Sequence, residues 1–260
     1  MLTKLRTALT SVKTTRPLVL NLTNIVTMDF MANAQLAIGA SPLMSVSNDE
    51  LEELIAVSNA VNINLGTLDA PFIERCLKAA SLAKQYGKPM VLDPVGAGAS
   101  RLRTTAALSL LPYCTILRGN ASEILALQNI AHQTKGVDAV HTTDDSKQAA
   151  NELAKKFNIV TVVSGATDYI TDNELNISFN YGSPLMPRVV GMGCTLTAVI
   201  AAFAGSVANP YEAAITATLY FSLCGSIAAK NNHAPASFQL AFVDTLYNAD
   251  ETTLSHCYAE

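Results

Sequence analysis

Gly191-Met192-Gly193-Cys194 stands immediately before a long uncharged run, TLTAVIAAFAG. Glycines at the start of a helix let backbone N–H groups approach an anion, and the helix dipole adds about half a positive charge there. A phosphoryl group in transfer needs such a setting. The same glycines also suit an ordinary tight turn, since glycine is the default residue for strained backbone. Cys194 has two readings as well. Cysteine is commonly a small buried hydrophobe, yet beside glycines at a helix N-terminus its thiol becomes more acidic and chemically useful. Asp93 opens Asp-Pro-Val-Gly, which is either a plain turn or a carboxylate at a strand end. Asn120 and Glu123 form N-x-x-E, a capping box in one reading. In the other, Glu123 joins Asp93 to hold Mg²⁺ directly or through water. Arg118, two residues before Asn120, is spaced to grip a phosphate with its planar fork.

Several chemistries are absent or weak. There is no Walker A segment and no complete G-x-G-x-x-G after a strand, so a nucleotide site would be neither P-loop nor Rossmann type. A Cys–His hydrolase is disfavoured, because none of His132, His141, His233 and His256 follows an expected core strand.

These residues need elements to hold them. Strand-length apolar runs alternate with helix-period stretches: strands are expected at 17–23, 61–65, 89–92, 115–117 and 159–163, with a short PLMS piece at 42–45. Helices are expected at 29–38, from a cap near Asn48, from Asp69 to Gly87, from Asn120, and at 146–157. Segments near Tyr169 and at 176–179 suggest a hairpin at a sheet edge, and everything from Gly193 onward has helical character. The fold class is therefore α/β: a mainly parallel central sheet with helices on both faces, in one domain spanning 1–260 without a linker or repeat. Ligands bind at the carboxyl ends of strands in such sheets, where Asn24, Asp93, Arg118, Ser164 and the Gly191 turn all fall.

Composition excludes other functions. Of 260 residues only 15% are charged, against the usual ~25%, so a large core or an oligomer interface is expected. With a net charge of −4 and no Lys/Arg cluster, the chain is a poor partner for nucleic acid or an acidic membrane. The five cysteines are scattered without C-x-x-C spacing, as in a reduced cytoplasmic protein. The N-terminal segment lacks the apolar core of roughly 7–15 residues that a secretory signal requires. Two uncharged stretches, 189–211 and 213–229, are long enough for a membrane, but their Ala, Gly, Thr and Ser content fits buried helices better.

In order along the chain, NLTNIVTMDFMAN (21–33), GASPLMS (39–45), NINLGTLD (62–69), PMVLDPVGAGAS (89–100), ILRGNASEI (116–124), VSGATDYI (163–170) and VGMGCTLTAVIAAF (190–203) resemble the hydroxyethylthiazole kinase family, within the ribokinase-like superfamily. The resemblance implies a ribokinase-like fold and ATP-dependent phosphorylation of the thiazole alcohol that is a thiamine precursor. It implies thiazole contacts at Met44 and Gly191, with Asn24 close by. ATP-phosphate contacts would fall at Arg118 and Ser164 beside Gly193, Mg²⁺ at Asp93 and Glu123, and the general base at Cys194. Related sugar and vitamin kinases usually carry Asp at the Cys194 position, which argues against the rival substrates hydroxymethylpyrimidine and pyridoxal. Intact Asp93, Glu123 and Arg118 argue against a non-catalytic binding protein. Ser164 stands where Thr is common, and Met192 separates the two glycines; both departures keep the needed hydroxyl and backbone N–H. A homotrimer with sites at subunit boundaries is also implied.

Overall fold

Branched and apolar residues alternate along short strands, and that period of two divides the interior into two cores. In a computed structural model describing residues 1–131 and 143–259, the strands are β1 (Leu18–Leu22), β2 (Ser41–Met44), β3 (Ala60–Asn64), β4 (Met90–Asp93), β5 (Ile116–Asn120), β6 (Val160–Ser164), β7 (Asp168–Thr171) and β8 (Asn176–Phe179). They form one eight-stranded sheet in the order β2-β1-β3-β4-β5-β6-β7-β8. Pairing is parallel from β2 through β6, while β7 and β8 add an antiparallel hairpin at one edge. The expected α/β class, the parallel sheet and the edge hairpin are all present.

Successive strand residues point to opposite faces. Val19, Val91, Ile116 and Val162 therefore face one core, whereas Leu20, Leu92, Leu117 and Val163 face the other. The first core is covered by α1 (Leu2–Thr15), α2 (Met28–Ala37), α8 (Met192–Ala204), α9 (Pro210–Ala229), α10 (Pro235–Asn248) and α11 (Glu251–Ala259). The second is covered by α3 (Leu51–Val57), α4 (Ala70–Gln85), α5 (Arg101–Leu110), α6 (Ala121–Ala131) and α7 (Thr143–Phe157).

Local signals set several boundaries. Asp69 caps α4 by accepting the Phe72 N–H at 2.8 Å, and Gly87 follows with φ +62°, a left-handed turn suited to glycine. Two helices go beyond the sequence expectation. α1 buries Leu5, Ala8, Leu9 and Val12 along one stripe, and α5 starts where the Ser100 hydroxyl accepts the Arg103 N–H. α3 begins at Leu51 after Glu50, slightly later than the cap expected near Asn48.

The two uncharged stretches are α8 and α9. Among the described residues only α9 is long and apolar enough to cross a membrane, and 78% of that window is buried inside the protein. It is enclosed by its neighbours as a core helix, packed on α8, α10 and α11. Asn209 starts it, its side chain accepting the Glu212 N–H at 3.0 Å at an exposed position. Asn209→Ala should lower the unfolding free energy by about 1 kcal/mol, read as a lower urea midpoint with an unchanged folded spectrum.

Candidate active site

The alternation that builds the two cores also collects the polar residues. Asn64, Asp93, Arg118 and Ser164 each sit at an even step from a residue facing the first core, so their side chains stand on the α8 side of the sheet. Strand register brings Asn64 beside Asp93, and Asn120 beside Ser164. The N-terminus of α8 lies over this end of the sheet, and its helix packs on β1, β3 and β4.

Asp93 is the centre of the resulting network and is fully buried. Its Oδ2 accepts hydrogen bonds from Asn64 Nδ2 at 2.8 Å and Thr197 Oγ1 at 2.8 Å, and an ionic contact from Arg118 Nη1 at 3.4 Å. Its Oδ1 has no partner. Burial pushes this carboxyl up to about 6, Arg118 pulls against that rise, and the nearby Glu123 charge adds to it.

Arg118 is 8% exposed and donates through Nη2 to Ser164 Oγ, while its buried Nε has no partner. Gly193 makes room for it. A Cβ on Gly193 would lie 2.6 Å from Nη1 and 2.7 Å from Nη2, so a larger residue there would push the guanidinium from its place under the start of α8. Gly191 caps that helix at φ +88°, and a Cβ there would meet Thr27 Cγ2 at 2.6 Å. The Gly191 turn is thus pressed against the turn that follows β1. In that turn Asn24 Oδ1 accepts from the N–H groups of Val26 and Thr27 and from the Thr27 hydroxyl. Asn24 Nδ2 donates to Asn64 Oδ1 at 2.8 Å and approaches Cys194 Sγ at 3.5 Å.

Cys194 differs from the sequence expectation in one respect. Its thiol is pushed up, first by burial and then by the Asp93 charge, so these outweigh the acidifying setting at the helix start. It is nevertheless half-buried, while Cys76, Cys114, Cys224 and Cys257 are buried. His233 and His256 are exposed on the C-terminal segment, and His132 and His141 lie outside the described residues.

Asn120 and Glu123 do form the capping box. Asn120 Oδ1 accepts the Glu123 N–H at 3.0 Å, and Glu123 Oε2 accepts the Asn120 N–H at 2.9 Å. Glu123 Oε1 accepts the Gly96 N–H at 2.9 Å, tying the turn after β4 to the start of α6. Met44 ends the outermost strand β2, at the sheet edge beside Asn21.

A cleft of about 590 Å³ opens next to Arg118, Asn120, Ser164 and Gly193, and extends over Met186, Pro187 and Phe221. Its lining combines the Arg118 guanidinium and the Ser164 hydroxyl with apolar surface from Met186, Pro187 and Phe221. Asn64, Thr197, Asp168 and Ser222 belong to this site or its walls without having been singled out in the sequence. Asn64 is the last residue of β3, one position before the end expected at 65, within reach of the strand-end rule; the other three are brought in by helix packing and a hairpin.

The hydroxyethylthiazole kinase family profile matches residues 9–252 of the chain. The chain belongs to the hydroxyethylthiazole kinase family. It is similar to the hydroxyethylthiazole kinase of Chlamydia abortus, with 46% identity over 260 residues covering 99% of each chain. It is also similar to the solved hydroxyethylthiazole kinase structure from Pyrococcus horikoshii OT3, with 37% identity, 96% and 95% coverage and a TM-score of 0.90. A ribokinase-like superfamily protein from Enterococcus faecalis V583 shares the fold at 15% identity, with a TM-score of 0.62 and coverage of 88% and 86%. The fold is therefore ribokinase-like, and the quoted family motifs lie at the strand ends described above.

Because each Glu123 oxygen takes a backbone N–H, Glu123→Gln keeps one bond and turns its NH₂ toward a second donor. The variant should lose about 1 kcal/mol of stability in urea unfolding, from one part-buried N–H left without its acceptor.

Proposed function

We propose that this protein transfers the γ-phosphoryl group of ATP to the side-chain hydroxyl of 4-methyl-5-(2-hydroxyethyl)thiazole, a step that salvages a thiamine precursor. The observation that carries this reading is the meeting of Asp93 and Arg118 with the glycine-rich start of α8 and Cys194, in a chain of this family.

In this reading the nucleoside occupies the apolar part of the cleft, with its phosphates against Arg118 and Ser164. Arg118 uses two of its five N–H donors on protein, and keeps the others for phosphate oxygens. The γ-phosphate faces the N–H groups of Gly193 and Cys194, which have no carbonyl one helical turn back to accept them. The thiazole lies by Gly191 and Asn24, and its alcohol by Cys194. Met44 completes the thiazole pocket from a neighbouring subunit.

Asp93 and Glu123 are the groups that would hold Mg²⁺. The unpartnered Asp93 Oδ1 is a hard oxygen donor, and each Glu123 oxygen retains a lone pair beyond its one N–H bond. Mg²⁺ is usually bound by one or two carboxylates with phosphate and water completing its shell, so this pair suffices. When bound, the ion neutralises phosphate charge. The chain's residues do the rest by orientation and by stabilising the transferring group, since the loose transition state leaves little covalent work.

Cys194 is the proposed general base, and its raised thiol limits that role. At neutral pH it is mostly protonated, and the alcohol loses its proton late in a loose transition state. Cys194→Ala should therefore lower kcat by at most about 10²-fold, the lower end of general-base effects, with thiazole KM nearly unchanged. Cys194→Asp should remain active, because it restores the carboxylate of related kinases. An Asp variant as slow as the Ala variant, with its fold intact, would remove the base assignment. A coupled ADP-release assay tests the reaction itself: release should depend on the thiazole alcohol, and equal release without it would overturn the reading.

Residues 1–260 would act as one kinase domain, in the cytoplasm where ATP and reduced thiols are available. The proposed assembly is a homotrimer. Its support is apolar: Ile25 is 77% and Val190 70% exposed, next to the Asn24 and Gly191 turns, and strand β2 leaves one edge of the sheet open. Light scattering should give three times the 27.5 kDa chain mass, and an active monomer would contradict it.

A further inference from the structure

We infer that Asp168 is a positioning residue for nucleotide binding: it clamps the turn after β6 to α9, and so fixes how Ser164 and Arg118 meet the phosphates. The inference rests on the assignment of Arg118 and Ser164 to ATP. Asp168 opens β7 and is 5% exposed, at the wall of the cleft. Its two oxygens are both engaged by protein. Oδ1 accepts the Gly165 N–H at 3.1 Å, and Oδ2 accepts the hydroxyl of Ser222, in the buried middle of α9, at 2.7 Å.

Gly165 follows Ser164 directly, and Ser164 receives Arg118 Nη2. A continuous arc of hydrogen bonds thus runs from α9 through Asp168, the turn and Arg118 to Asp93, which Thr197 of α8 holds in turn. Each member fixes the next, and its two ends are anchored in packed helices. Without Asp168 the segment 165–167 keeps one side-chain tie, from Thr167 Oγ1 to Asn180. Ser164 would then be held by the strand end alone, and Arg118 would lose a fixed partner.

A direct contact between Asp168 and the nucleotide is the competing role, and chemistry opposes it. A carboxylate repels phosphate oxygens, and this one turns its oxygens to an N–H and an O–H. The Arg118 charge acts on it, which fits a group set close behind the phosphate-binding face. Asparagine can copy the clamp. Its Oδ1 accepts from Gly165 and its Nδ2 donates to Ser222 Oγ, because a serine hydroxyl accepts as readily as it donates.

The test is ADP titration of the full-length protein, with steady-state kinetics, on Asp168→Ala, Asp168→Asn, Ser222→Ala and Arg118→Ala. Asp168→Ala should weaken ADP and raise the KM for ATP roughly 10- to 100-fold, as expected of a small displacement of binding groups, while thiazole KM moves less than about twofold. Asp168→Asn should recover most of that loss. Ser222→Ala should show a smaller loss of the same kind, and serves if Asp168→Ala does not fold. Wild-type ADP affinity in both Asp168→Ala and Ser222→Ala, alongside a weakened Arg118→Ala, overturns the inference while leaving the phosphate assignment intact. Asp168→Asn as poor as Asp168→Ala also overturns it, because charge and not position would then matter. Wild-type ADP affinity in Arg118→Ala removes the phosphate assignment, and the inference with it.

Discussion

Asp93 and Arg118 form a charge pair beneath the N-terminus of α8, and both are almost wholly withdrawn from water. Taking two such ions out of water costs several kcal/mol each, and their attraction alone rarely makes that up. The surrounding structure supplies what the pair lacks. Asn64 and Thr197 donate to one carboxylate oxygen, Ser164 receives one arm of the guanidinium, and Gly193 leaves space for its plane. The remaining capacity is what makes the site useful. Asp93 Oδ1 and Arg118 Nε have no protein partner, so a cation and an anion are each offered a complementary group within one buried patch.

The sheet explains why so many polar groups can stand there. Period-two alternation sends every second residue of β3, β4 and β5 toward α8, and at the carboxyl ends those positions are Asn64, Asp93 and Arg118. Lower on the same face Val91 of β4 and Ile116 of β5 are apolar and belong to the core shared with α8 and α9, while β3 carries Asn62, which donates to Asn21 Oδ1. In β4 and β5 that face thus changes from packing to chemistry between one inward residue and the next, two positions on. The helix lying on that face brings its N–H groups to the polar end, where a transferring anion gains most from the dipole.

Much of this was legible because the signals are local. Strand-length runs ending in Asn, Asp or Arg, and a glycine pair before an apolar helix, mark the site without tertiary information. The strand-end rule then selects Asp93, Arg118 and Ser164 together. The stripe of Leu5, Ala8, Leu9 and Val12 in α1 has helical spacing in the sequence, but the packing partner that gives it meaning comes from the far end of the chain. Thr197 and Ser222 were not visible in the same way. A hydroxyl inside an apolar helix shows its purpose only when the helix is set against the carboxylate it serves. Asp168 was hidden for a related reason, since it looks like a hairpin residue until Gly165 and α9 are brought to it. The net acidity of Cys194 is not legible in the sequence, because the helix end is visible there, whereas burial and the neighbouring Asp93 charge that raise its thiol are not.

A crystal structure with the thiazole alcohol and a non-hydrolysable ATP analogue tests the central claim most directly. The alcohol oxygen should lie about 3–3.5 Å from the γ-phosphorus, beside Cys194 and over the first amides of α8, with the phosphates against Arg118. A triphosphate bound away from Arg118, or an alcohol directed away from Cys194 in that complex, would contradict it.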